Sequence, residues 1–255
     1  MRRGVARLGQ NVLSSRMPWD IVLIFFVLGV VVPWRGRKRL QQLLAKPRVE
    51  PAERLSLYRS TIAFQWIAAA VVAWRSWAHG LTLQQLGLVM PRRFWLIVIT
   101  ISGAVVVVTL QWLNLRRMGR STSPFRGPLQ ALAERILPQS STELVPFLGL
   151  AVTAGLCEEF LYRGFAMAVI GRAALPTGVI VLLSSVLFGL AHLYQGRAGF
   201  VSTLVLGLLF GFSRAALGSL LPVIAWHTGV DVVAGVAGPR YLLANKRVTV
   251  SSDVG

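Results

Sequence analysis

The sequence predicts an all-α fold, a polytopic bundle of about seven transmembrane helices (six to eight), on three observations. The 255 residues are 55% apolar and 14% charged, against about 25% charged residues in an average soluble domain. A window of about 19 residues finds apolar segments near 18–34, 61–78, 94–115, 144–162, 177–195, 200–216 and 220–237. Tryptophans stand at the ends of the first three, where interfacial anchors are expected: Trp19 and Trp34, Trp74 and Trp77, Trp95 and Trp112.

The first segment follows a basic stretch, 1–17, and so resembles a signal peptide. No small-residue cleavage site follows Val32, and Pro33-Trp34-Arg35-Gly36-Arg37-Lys38-Arg39 reads as a stop-transfer flank, so the segment is expected to stay. The linker 35–60 holds eight basic residues against Glu50 and Glu53, and the second segment follows it. In the third, Trp95 and Trp112 are 17 residues apart, about 25 Å along a helix, which suits a hydrocarbon core of about 30 Å. The linker 116–143 holds Arg116, Arg117, Arg120, Arg126 and Arg135. Alternation across seven spans brings these two linkers and the C-terminal tail to one side, cytoplasmic by the positive-inside tendency; Arg2, Arg3, Arg7 and Arg16 argue the other way.

The organisation is therefore read as a basic segment, 1–17, N-terminal helices with basic loops, 18–142, a nearly charge-free core, 143–237, and a polar tail, 238–255, disordered from Lys246. The net charge is +18. It is dispersed over several loops and not gathered into a stripe, so it reads as membrane topology and not as nucleic-acid binding. A single cysteine, Cys157, excludes an intrachain disulfide.

The last four segments carry the chemistry. Glu158, Glu159, Asp231, His192 and His227 lie within or at the ends of apolar helices. Three such acids and Arg163 would together cost about 10 kcal/mol on insertion scales if left unpaired, so function is the default reading. In AGLCEEFLYRGF, Glu159 and Arg163 are four residues apart on one face and can pair, while Glu158 points about 100° away toward another neighbour. Phe188 with His192, and His227 with Asp231, repeat that spacing on two other segments. Three helices could thus turn Glu158, His192, His227 and Asp231 into one cavity, where a carboxylate takes a proton from water and a second group stabilises the oxyanion. Taken singly, each feature also has a structural explanation: Phe188 as packing, and Gly164, Gly189, Gly207 and Gly211 as helix contacts.

In combination, EEFLYRG at 158–164, FGLAH at 188–192, GLLFG at 207–211 and GSLLPVIAWHTGVD at 218–231 resemble the core of the CAAX protease and bacteriocin-processing (CPBP, or ABI) family, which includes the type II CAAX prenyl endopeptidases. GLTLQQLGL at 80–88 is similar to a short element found upstream in that family. The resemblance implies an intramembrane endopeptidase acting on a membrane-associated peptide or protein, in the cell membrane. It makes Glu158 the water activator and His192 its helper, Glu159 and Arg163 supports, and His227 with residue 231 the oxyanion side. Relatives are described both as metalloproteases and as glutamate proteases. Glu158, His192 and His227 could hold Zn, but they come from three segments without a compact HExxH pair, which favours water activation with no metal and no other cofactor. Position 231, often Asn in the family, is Asp here. Asp231 either carries its proton, or orients His227, or weakens catalysis. A proton-coupled transporter or a catalytically silent scaffold are the competing readings. Oligomeric state is not readable.

Overall fold

Every regular element among the described residues (17–90, 94–120 and 126–243) of the computed structural model is helical. The basic positions before Met17 and the tail from Lys246 lie outside the described residues. In order, α1 is Trp19–Leu44, α2 Pro51–Ala78, α3 Phe94–Arg120, α4 Arg126–Ile136, α5 Ser141–Gly171, α6 Thr177–Ala191, α7 Gly196–Leu217 and α8 Leu221–Leu242. All but α4 and α6 are long and apolar enough to cross a membrane, so the protein is a polytopic helical bundle.

The basic flanks are more ordered than hydropathy suggests. α1 continues through Pro33 and Arg35–Arg39 to Leu44. Pro33 removes one amide from the helix ladder, and the turn whose carbonyl it leaves without a donor, Val27–Val31, is a π turn. A capping box of Glu50 and Glu53, with Pro51 at the first helical position, starts α2, and Lys46 pairs with Glu53. The linker 35–60 is therefore a helical hairpin.

Contacts at the helix ends give the direction of each crossing. Arg135 Nε donates to the Leu43 carbonyl at 3.2 Å, and Tyr58 Oη donates to that of Ile136 at 2.6 Å. Tyr58, Leu115, Leu137 and Leu242 share one buried cluster. The ends of α1, α3 and α8 thus meet the starts of α2 and α5, with α4, at a basic end. Here Arg54 holds Glu143 through two buried bonds of 2.9 and 3.0 Å. At the opposite end Asp20 meets Arg75 at 2.6 Å and His79 at 2.7 Å, and Arg172 Nη2 donates to the His79 carbonyl at 2.8 Å. Arg214 Nη2 donates to the Gln85 carbonyl there at 2.6 Å. The two basic linkers accordingly lie together, as alternating crossings require.

α6 has 15 residues, about 22 Å, and stops at Ala191, short of the span expected to Gln195. A 3-10 turn, Leu193–Gln195, leads into α7. Close approaches fix the helices around it: a Cβ at Gly211 would lie 2.7 Å from Val181 Cγ1, and one at Gly155 would meet the Thr228 hydroxyl. Outward faces are apolar, with Ile101, Val105 and Leu110 each 61% exposed, which suits lipid as the solvent.

Candidate active site

α5 loosens into a π turn, Phe160–Ala166, directly after its glutamate doublet. The two carboxylates part in direction, as their spacing requires. Glu159 is fully buried. Its Oε1 accepts from Arg163 Nη1 at 3.0 Å and lies 2.7 Å from His227 Nδ1 on α8. A carboxylate oxygen only accepts, so Nδ1 carries the hydrogen and Nε2 faces away from Glu159. Arg163, also fully buried, lies over the Phe188 ring at 4.1 Å and the Phe210 ring at 5.7 Å. Phe188 is thus more than packing, because its π face supports the guanidinium. Phe210, from the glycine-rich helix, adds a second face.

Glu158 meets different partners. Its Oε1 accepts from Gln65 Nε2 of α2 at 2.6 Å. Its Oε2 is buried, with no hydrogen-bond partner among the described residues, and faces His192 Nε2 at 3.8 Å and His227 Nε2 at 4.0 Å. His192 caps the C-terminus of α6, and its Nδ1 lies 2.8 Å from the Phe188 carbonyl. A carbonyl only accepts, so Nδ1 donates and the Nε2 of neutral His192 offers a lone pair on the Glu158 side.

Five of the six sequence-derived residues thus form two layers: Glu159, Arg163 and the far edge of His227 behind, Glu158 and His192 in front. Asp231 stands at the margin. Its side chain is 34% exposed and its Oδ2 is 3.7 Å from His227 Nε2, beyond hydrogen-bond distance. The orienting position on His227 is taken by Glu159. The third histidine, His79, pairs with Asp20 at the other end of the bundle. Sequence reasoning missed Gln65; its one signal is an amide inside the apolar stretch IAFQWIAAA, which a hydropathy average absorbs.

A cavity of about 610 Å³ opens beside Glu158 and His192, between α1, α2 and the turn at Tyr194. Its walls include Val27, Leu28, Leu57, Phe64 and Leu161; Ser56, Ser60 and Thr61 lead along α2 to Gln65. Exposed Arg35, Lys38 and Arg39 line it toward the basic end, and Glu158 is the one acid among its lining residues. His227 and Asp231 approach Glu158 from the α8 side and do not line it. A depression of about 710 Å³ nearby, at Arg39, Lys46 and Glu53, contains none of the site residues.

Ligands of one tetrahedral Zn stand about 3.3 Å apart, from bonds of about 2.0 Å. The separations of 3.8 and 4.0 Å around Glu158 Oε2 are wider, and no group of three His, Cys, Asp or Glu side chains is placed to hold a metal among the described residues. The donors do not form a ready cage.

Residues 140–233 match the family model described as type II CAAX prenyl endopeptidase, Rce1-like, a family of proteases. The matched stretch contains all six sequence-derived site residues, so the resemblance carried by the four motifs and the family match fall on the same segment. No curated protein and no solved structure matches the chain.

Proposed function

We propose that this protein is an intramembrane endopeptidase of the cell membrane that hydrolyses a peptide bond of a membrane-associated peptide or protein by glutamate-activated water. One observation carries the reading. Glu158 Oε2 and His192 Nε2 stand 3.8 Å apart at the edge of a cavity within an apolar bundle. With His192 neutral, a water admitted between them would donate one hydrogen to each and keep an oxygen lone pair for attack.

In the reaction, the water oxygen bonds to the scissile carbonyl carbon while Glu158 takes its proton, and the carbonyl becomes an oxyanion. His227, held through Nδ1 by Glu159, donates from Nε2 as the imidazolium and stabilises that charge. Arg163 keeps Glu159 in place. On collapse the C–N bond breaks, and Glu158 returns its proton to the leaving amine. No step needs a metal. The apolar walls suit a lipidated or apolar segment, and the cations near the mouth favour a substrate whose adjoining end is anionic.

The test compares wild type with E158A in native membranes, looking for peptides that persist only in the variant, and in vesicles with a farnesylated, internally quenched CAAX peptide. E158A is expected to lower kcat by at least about 10²-fold, with thermal stability unchanged and wild-type cleavage surviving a chelator. Identical fragments with and without Glu158 would favour a silent scaffold, and loss of activity on chelation would restore the metal.

A further inference from the structure

The bond from Gln65 to Glu158 crosses between α2 and α5, and it joins a residue outside the matched segment to one inside it. A carboxylate has two oxygens that exchange roles by rotation about one soft torsion. At 2.6 Å the amide holds Oε1. Being no acid, an amide leaves that oxygen neither protonated nor free, and the oxygen available for proton transfer is Oε2, which faces both imidazoles. We propose that Gln65 is a positioning residue for catalysis: it selects and aims the basic oxygen of Glu158. The proposal rests on the protease reading above and deepens it.

A purely structural role explains the geometry less well. α2 is already tied to α5 by Arg54 with Glu143 and by Trp66 Nε1 donating to Thr153 Oγ1 at 3.3 Å. Gln65 adds little to that register. Its own Oε1 is buried with no hydrogen-bond partner among the described residues, a cost of about 1–3 kcal/mol that a structural bridge would avoid by satisfying both ends. Half-satisfied polar groups of this kind collect at working sites. Gln65 also lines the same cavity as Glu158, so the bond lies where substrate and water arrive.

The experiment uses the full chain in phosphatidylcholine and phosphatidylglycerol vesicles with the farnesylated, internally quenched CAAX peptide. Q65M keeps the side-chain length and removes the donor. It is expected to lower kcat about 10- to 100-fold, as misplacement of a reacting group does, with KM within about twofold and the melting midpoint unchanged. Q65E, in which two facing carboxyls share a proton at lower pH, regains activity as the pH falls, while Q65M does not. A wild-type kcat in Q65M, a change confined to KM, or losses of activity that only track loss of folded protein would each overturn the assignment. E158A separates the two readings: if it is inactive while Q65M is unimpaired, the role of Gln65 alone fails. If E158A cleaves like wild type, or if wild type does not cleave, both fail.

Discussion

Glu158 and Glu159 are adjacent in the chain, yet one is clamped between a guanidinium and an imidazole and the other by a neutral amide alone. That division assigns different consequences to similar substitutions. E159Q leaves Arg163, which has no exposed surface, without its carboxylate partner. It is expected to destabilise the fold by about 3–5 kcal/mol, read as a lower denaturation midpoint in detergent and poor recovery from membranes. D231N should retain cleavage within a few-fold of wild type, because Asp231 is 3.7 Å from His227 and Glu159 already orients that ring. Abolished cleavage in D231N would show that the acid itself is required. The pairing of Glu159 with Arg163 was legible from four-residue spacing. The same spacing joined His227 to Asp231 less well, because a shared face does not reveal which group the opposing helix presents. Gln65 was not legible, since its partner is 93 residues away.

At the scale of elements, the segments that hydropathy finds appear as helices, but their ends follow other forces. α1 runs on through Arg35–Arg39 because arginine and lysine are good helix formers, whereas hydropathy registers only residues suited to lipid. α6 ends early because His192 turns out of the helix to cap it, and that early end leaves room for the cavity. The seam between α5 and α8 sets the distance from the glutamates to His227. At Gly155 that seam has no space for a methyl: the added carbon would meet Thr228 Oγ1, and the Ile224 carbonyl lies 3.1 Å away. G155A should therefore cost about 1–3 kcal/mol by overpacking and lower cleavage as well, because the helices that carry Glu159 and His227 are forced apart. T228A added to G155A should restore part of both, measured as midpoint and kcat. A double variant no better than G155A alone would place the strain elsewhere.

Across the whole molecule, the direction in which the cavity opens ties the charge asymmetry to the chemistry. Its polar wall, Ser56, Ser60 and Thr61, climbs from Gln65 toward the basic end, where Arg35, Lys38 and Arg39 stand. Loops this rich in arginine and lysine tend to remain in the cytoplasm. Water and substrate tails should then reach Glu158 from the cytoplasmic side, and the far end, where Asp20 pairs with Arg75 and His79, should admit neither. A single-thiol chain makes this measurable. Cys157 is buried, so C157A removes the one native thiol and S60C places a new one on the exposed wall. A membrane-impermeant maleimide should label C157A/S60C in inside-out vesicles and not in intact cells, and the added bulk should block cleavage. Labelling from the outer face would reverse the orientation, and labelling without loss of cleavage would mean that water and substrate take another route.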